Sequence, residues 1–211
     1  IIGKKVGSTT IRVRVKGTNK TSTISVTVTL PFNDVGSKDW YYNTIKEIFN
    51  LELMSGTDNT HFSPNDPMSR GMVATVLYRM AGAPNVTGKS KFSDVKDGLW
   101  YSKAITWAAN QGIISGYQNG KFGPDDNVTR EQMAVMLRNY AMKKGLNTKT
   151  TNNLTKFKDY KNVTSYAKSA MGWAVDKGII SGANNGTRLN PTSNATRAEC
   201  AKMLLQIYKL K

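Results

Sequence analysis

Phe92-Ser93-Asp94-Val95, then Trp100-Tyr101, Ile114-Ser115-Gly116, Phe122-Gly123-Pro124 and Thr129-Arg130 form the stretch that decides the fold, because the chain carries it three times. Sixty residues earlier stand Phe32-Asn33-Asp34-Val35, Trp40-Tyr41, Met54-Ser55-Gly56, Phe62-Ser63-Pro64 and Ser69-Arg70. The third copy reads Phe157-Lys158-Asp159-Tyr160, then Tyr166 alone of the aromatic pair, Ile180-Ser181-Gly182, Leu189-Asn190-Pro191 and Thr196-Arg197. Its offset from the second grows only from 65 to 67 residues. Spacing this regular marks an internal repeat, with copies at 32–81, 92–141 and 157–208.

Each copy reads as two helices around a turn-rich loop. In the first helix Tyr41, Ile45, Ile48 and Phe49, and in the next copy Ala104, Ile105, Ala108 and Ala109, recur at helical spacing. The second helix opens at the Ser/Thr-Arg step. Its apolar stripe is Val73, Val76, Leu77 and Met80, then Met133, Met136, Leu137 and Tyr140, then Cys200, Met203, Leu204 and Ile207. A helical hairpin of about 50 residues cannot bury such a stripe alone, so the three copies are expected to pack on one another. The linkers, Gly82 to Lys91 and Lys143 to Lys156, are rich in Gly, Asn, Thr or Lys.

The first 31 residues differ in kind. Thr10 to Val15 and Thr23 to Thr29 alternate apolar and polar side chains around Gly17-Thr18-Asn19, the pattern of a β-hairpin. Two strands need a larger sheet, so they are expected to be the tail of a β-sandwich. The division is therefore 1–31 as a β remnant, then repeats within 32–84, 85–150 and 151–211, giving a mainly α chain.

The 211 residues include 30 Lys and Arg against 14 Asp and Glu, a net charge of +16, and residues 1–31 hold six basic groups and no acidic one. Such a balance favours polyanionic partners, either nucleic acid or an acidic wall polymer. With 39% apolar residues the chain can build a core, and no apolar run approaches the ~18 residues of a membrane-spanning helix. A single Cys forbids an intrachain disulfide, and one Cys with one His excludes a Cys/His zinc site. No cofactor or metal is expected. Starting at Ile1 without a signal peptide, the chain reads as a fragment of a longer, exported protein.

The Ser/Thr-Arg step carries the most chemistry. Thr196-Arg197-Ala198-Glu199 and Thr129-Arg130-Glu131-Gln132 fit a capping box, whereas Ser69-Arg70-Gly71-Met72 keeps the cap and loses the return partner. The Arg lies in the first turn, where the helix dipole disfavours a cation by roughly 0.3–1 kcal/mol. Three such residues in three copies point to an anion beside each, supplied by the protein's own carboxylates or by a ligand. Helix-start amides together with a guanidinium fork would make a carboxylate or phosphate receptor.

Trp40 and Trp100 precede a helix, a place where an aromatic ordinarily anchors the core; beside an Arg, the same ring also suits an acidic sugar. Asp34, Asp94 and Asp159 recur in every copy, which fits turn or cap duty better than acid/base catalysis. The Gly88-Lys89-Ser90 run follows a helix rather than a strand and is a linker, not a phosphate loop. His61 aligns with Lys121 and Arg188 as a surface position, and Cys200 falls on an apolar stripe as a core thiol. The Asp/Asn loops lack the order of a calcium loop.

These motifs resemble the S-layer homology domain over residues 32–208, most of all in Phe92 to Val95 with Trp100-Tyr101, Gly112 to Tyr117 with Gly120 to Pro124, and Thr196 to Glu199. The resemblance implies a pseudo-threefold spindle around a central three-helix bundle, with ligand grooves between adjacent repeats. It implies non-covalent anchoring of an exported protein to the bacterial cell wall through secondary cell-wall polysaccharide bearing pyruvate ketals, or through modified peptidoglycan. Arg70, Arg130 and Arg197 would face the grooves, lined by Trp40 and Trp100, with Tyr41, Tyr101 and Tyr166 completing the set. Ser165 stands where the family has Trp and Gly71-Met72 replaces the end of the tetrapeptide, so unequal grooves are expected. Residues 1–31 are similar to the last strands of a bacterial Ig-like domain of group 2. The alternative function is polyanion or nucleic-acid binding by a basic helical module, but Lys is not gathered on one helix face and no nucleic-acid motif is present. A glycan hydrolase would need two unlike carboxylates in one cleft, which threefold copying does not offer.

Overall fold

The computed structural model describes residues 5–151 and 153–210. The chain forms two compact units, residues 1–63 and 64–211.

In the first unit, strands β1 (Gly7–Arg14) and β2 (Thr21–Val28) pair antiparallel, Ile11 opposite Ile24 and Thr9 opposite Val26. This is the expected hairpin, turning through Gly17 at a left-handed φ of 79°. Period-2 alternation puts Ile11, Val13, Ile24 and Val26 on one face and Arg12 and Arg14 on the other. Helix α1 (Tyr42–Asn50) buries Ile45 and Ile48 completely. The Val6 N–H donates to Asn50 Oδ1 (2.8 Å) and Asn50 Nδ2 donates back to the Val6 carbonyl (3.0 Å), tying the start of the hairpin to the end of the helix. Phe32 packs edge-on to Phe49 at 5.2 Å and tilted against Phe62 at 5.5 Å.

The second unit holds α2 (Arg70–Met80), α3 (Ser102–Asn110), α4 (Arg130–Lys143), α5 (Lys168–Asp176) and α6 (Arg197–Lys209). Short 3-10 turns at Tyr160–Asn162 and Ser165–Ala167 precede α5. The apolar stripes lie where helical spacing put them: every named position of α2, α4 and α6 is buried except Met80, which is half-buried. Helix α3 packs on α2 and α5 on α4, while α6 touches both α2 and α4. Cys200 is fully buried, and burial pushes its thiol pKa up, so it is a core thiol.

The caps agree with the sequence as well. Ser69, Thr129 and Thr196 each accept the N–H of the third helical residue, and the return bond of a full capping box is present at Gln132 and Glu199 but not at Met72.

The helix starts interlock through the backbone. The Arg70 and Gly71 N–H groups donate to the Asp126 and Pro124 carbonyls (2.9 and 2.8 Å). Those of Arg130 and Glu131 donate to Ser193 and Pro191 (3.0 and 2.9 Å), and those of Arg197 and Ala198 to Asp66 and Pro64 (2.8 and 2.9 Å). A closed ring lies just before the helices: Met68 N–H donates to Ala195, Ala195 to Val128, and Val128 back to Met68, at 2.9–3.0 Å. All three of these residues are buried. The same exchange thus runs cyclically through one loop of every copy.

Candidate functional site

That interlock changes the receptor inferred from sequence. The first two amides of α2, α4 and α6 are taken by loop carbonyls and the third by the cap side chain, so helix-start amides are not available to a ligand. What remains is the arginine side chain.

Arg70, Arg130 and Arg197 are each only 4–5% exposed. Arg70 donates from Nε to the Phe122 carbonyl (2.9 Å) and from Nη2 to the Ser115 carbonyl (2.9 Å). Its guanidinium lies 4.5 Å from the Phe122 ring centre and 4.8 Å from that of Tyr117, within cation–π range. Arg130 donates from Nε to the Leu189 carbonyl (2.8 Å) and from Nη1 to Glu199 Oε1 (2.7 Å). Arg197 Nη1 contacts Met72 Sδ at 3.6 Å. The internal-carboxylate reading therefore holds at Arg130, whereas among the described residues Arg70 carries no salt bridge.

Two of the recurring Asp residues, Asp94 and Asp159, serve these arginines. Asp94 accepts the N–H groups of Phe122 and Gly123, both at 2.8 Å, and the carbonyl of that same Phe122 receives Arg70. Asp159 accepts from Leu189 and Asn190, also at 2.8 Å, and the Leu189 carbonyl receives Arg130. In the first unit Asp34 holds Phe62 and Ser63 in the same way (2.9 and 2.7 Å). Turn duty was legible in the sequence; the relay from carboxylate through one peptide to an arginine was not. Desolvation pushes the Asp94 and Asp159 carboxyls up, but their backbone N–H bonds and a nearby cation outweigh it and leave both pKa values below the usual range.

A cavity of about 410 Å³ opens beside Arg70, lined among others by Ser115, Tyr117, Gln132, Asn139 and Tyr166. It joins two predicted residues, Arg70 and Tyr166, drawn from the first and third copies, across a wall supplied by the second. Arg130, Arg197, Trp100 and Tyr101 do not line it. Burial lowers the Arg70 pKa while Tyr117 and Asp126 oppose the shift, and a guanidinium remains cationic in a protein.

Sequence reasoning missed Glu131. Its carboxylate is 3% exposed and accepts Thr164 N–H (3.1 Å), Thr164 Oγ1 (3.0 Å) and the Tyr166 hydroxyl (3.2 Å). Its signal was an acid in the first turn of α4 where the other copies have Gly71 and Ala198. Glu131 thus fixes Tyr166, which stands at the exposed Trp40/Trp100 position just before the helix cap. That position is held by Tyr166 and not by Ser165 as the spacing suggested, while Ala167 takes the buried place of Tyr41 and Tyr101. Trp40 and Trp100 depart from the core-anchor reading: both are 59% exposed, while Tyr41 and Tyr101 beneath them are buried and meet them edge-on at 5.3 and 5.1 Å. Tyr takes the core position and Trp keeps an accessible face.

The starts of α2, α4 and α6, each clamped to a loop of another copy, define a repeat module whose packed helix pairs run between copies, α3 on α2 and α5 on α4, where a hairpin within each copy was expected. Residues 31–71, 91–134 and 156–201 match the S-layer homology domain, and the chain belongs to that family. It is 30% identical over 207 residues to an amylopullulanase of Thermoanaerobacterium thermosulfurigenes, which covers 96% of this chain and 11% of that protein. It is 31% identical to the surface-layer 125 kDa protein of Lysinibacillus sphaericus (74% and 13%), and 28% identical to a cellulosome-anchoring protein of Acetivibrio thermocellus (72% and 34%). The chain therefore spans between 11% and 34% of the length of these relatives. It is a cell-surface, cell-wall-associated module, and no described helix is long and apolar enough to cross a membrane.

Proposed function

We propose that the chain anchors a larger exported protein to the bacterial cell wall without catalysis, by holding an acidic secondary cell-wall polysaccharide, probed best as a pyruvate ketal, in grooves between repeats. The three copies are read as a pseudo-threefold spindle around a bundle of α2, α4 and α6, and the cyclic exchange of backbone bonds supports that reading. The observation that carries the binding mechanism is Arg70. This buried guanidinium, without a carboxylate partner among the described residues, stands on the wall of a cavity that also offers Tyr117 and Tyr166. Family membership and the names of the surface-layer and cellulosome-anchoring relatives support the anchoring role. Related grooves at Arg130 and Arg197 would raise the avidity for one polymer, with Trp100 and, in the first unit, Trp40 as exposed sugar platforms; Tyr41 and Tyr101 are buried and drop out of the expected set. The apolar hairpin face, with Val13 and Ile24 about half exposed, supports reading residues 1–31 as edge strands of an Ig-like sandwich.

The test is co-sedimentation with purified cell walls before and after mild acid removal of ketal pyruvate. Binding is expected to fall sharply with the pyruvate, and with Arg70→Ala if helical circular dichroism is retained. Undiminished sedimentation in both arms refutes the mechanism. The +16 charge keeps nucleic-acid binding as a second reading, which predicts a steep salt dependence and equal retention by DNA.

A further inference from the structure

We infer that the C-terminal ends of α2, α4 and α6 hold between them a second binding site, a pocket that takes the free C-terminal carboxylate of a peptide ending in an apolar residue. The pocket shares no lining residue with the cavity beside Arg70 and does not depend on the glycan mechanism proposed above.

The apolar stripes of the three second helices end at Met80, Tyr140 and Ile207, and these equivalent positions converge on one pocket of about 280 Å³. Two copies place an unbranched or branched apolar side chain there, and the middle copy places a phenol. Tyr140 is 4% exposed, yet no described group hydrogen-bonds its hydroxyl. Packing alone is satisfied by an apolar residue, as the other two copies show, whereas a polar atom held away from water without a partner needs a reason. Burial, and then Tyr208 beside it, push the Tyr140 pKa up to about 12, so the hydroxyl keeps its proton at neutral pH and can donate.

The charge around the pocket has one sign. No carboxylate lines it, and the chain has no Asp or Glu from 132 to 158 or after Glu199. Helix C-terminal ends are the negative ends of their dipoles, and Arg79, Lys143 and Lys209 stand in the last turns of α2, α4 and α6. Each helix thus has its own complement. Lys144, at the C-cap of α4, is one cation more; it lines the pocket and has no ion-pair partner among the described residues. One ammonium and one neutral phenol match a single negative charge shared by two oxygens, a carboxylate rather than a phosphate.

Size and lining set the rest of the occupant. Leu146 joins Met80 and Ile207 in the apolar wall, and Tyr208, 45% exposed, opens the pocket to solvent. At about 30 Å³ per water-sized group the space takes roughly nine non-hydrogen atoms. That is one residue's carboxylate with an aliphatic side chain, and too little for a long acyl chain. The open side lets the rest of the peptide run out into solvent. A peptide end held here adds an attachment point that requires no sugar.

The probe is N-acetyl-Ala-Leu with a free carboxylate, compared with its C-terminal amide. Each is titrated into the full chain and followed by melting temperature and by the tyrosine ring resonances. The acid is expected to bind saturably, raise the melting temperature and perturb the rings of Tyr140 and Tyr208, with the amide weaker by about tenfold or more. Lys144→Gln is expected to weaken the acid by about tenfold. Tyr140→Phe keeps the ring, and is expected to weaken the acid about fivefold without lowering the melting temperature of the free chain. Equal binding of acid and amide, or no saturable binding by the folded wild-type chain, overturns the inference. Wild-type affinity in either variant does the same. So does a lower free-chain melting temperature in Tyr140→Phe, because the hydroxyl would then already have a partner.

Discussion

Replacing Asp159 by Ala removes the acceptor of two backbone N–H groups, those of Leu189 and Asn190, each 2.8 Å away. Asp159 is 5% exposed and Leu189 fully buried, so water cannot readily replace the lost carboxylate at Leu189. Hydrogen bonds to a charged group contribute about 1.5–3 kcal/mol each, which places the loss near 4 kcal/mol after allowing for the more exposed Asn190 amide. For a unit of this size each kcal/mol lowers Tm by about 2–4 °C, so a drop of roughly 8–16 °C is expected by circular dichroism at 222 nm. Asp159→Asn keeps one carbonyl acceptor and should lose about half as much. Asp94→Ala, whose carboxylate is only half-buried, should fall between the two. A shift below about 3 °C for Asp159→Ala would mean that the loop is held by its backbone ring alone, and the relay to Arg130 would lose its support.

The same carboxylates set the response to acid. Their folded pKa values lie below the unfolded reference near 4, so the stability they supply is complete above that value and is lost as pH falls through the depressed folded values. Melting temperature should decline as pH falls below about 4, and Asp159→Ala should flatten that decline; an equal slope in the variant would assign acid sensitivity elsewhere. Gly116→Ala probes the loop from the other side: a Cβ there would collide with Phe92 Cε1 and come within 2.5 Å of the Lys121 carbonyl. Overpacking against backbone should cost about 1–3 kcal/mol in denaturant titration and weaken glycan binding through the adjoining Ser115 carbonyl, whereas a wild-type midpoint would show that the loop yields freely.

Periodicity and spacing revealed the local half of this structure. The three caps, the missing return bond at Met72, the hairpin and the turn duty of the Asp residues each depend on local contacts, and the apolar stripes show in the periodicity whichever copy they pack against. The arginines were legible only as an anomaly, a cation where the helix dipole is positive. Their actual partners, the carbonyls of Phe122 and Leu189, lie 52 and 59 residues away, beyond what any local pattern encodes. The same holds for the helix-start amides, which sequence offered to a ligand and which loop carbonyls occupy. Trp100 failed the core-anchor expectation because its neighbour Tyr101 fills the one buried position available to the pair. Glu131 was passed over because its partners, Thr164 and Tyr166, sit in another copy.

Interlocking also lets one arginine be structural and, on the proposed reading, receptive. Arg presents five donors in a rigid plane, so two of them can be fixed on carbonyls while an edge still faces a cavity; a lysine ammonium offers no such division. At Arg70 the carbonyls of Phe122 and Ser115 set the side chain's rotamer during folding, and the entropy of ordering it is not lost again on binding. On the proposed reading, the anion site is thereby preorganised by the packing around Arg70. The cap position next to it remains exchangeable, because Gln and Glu satisfy the same helix start. Three copies therefore keep one fold while the third residue of the second helix varies among Met72, Gln132 and Glu199.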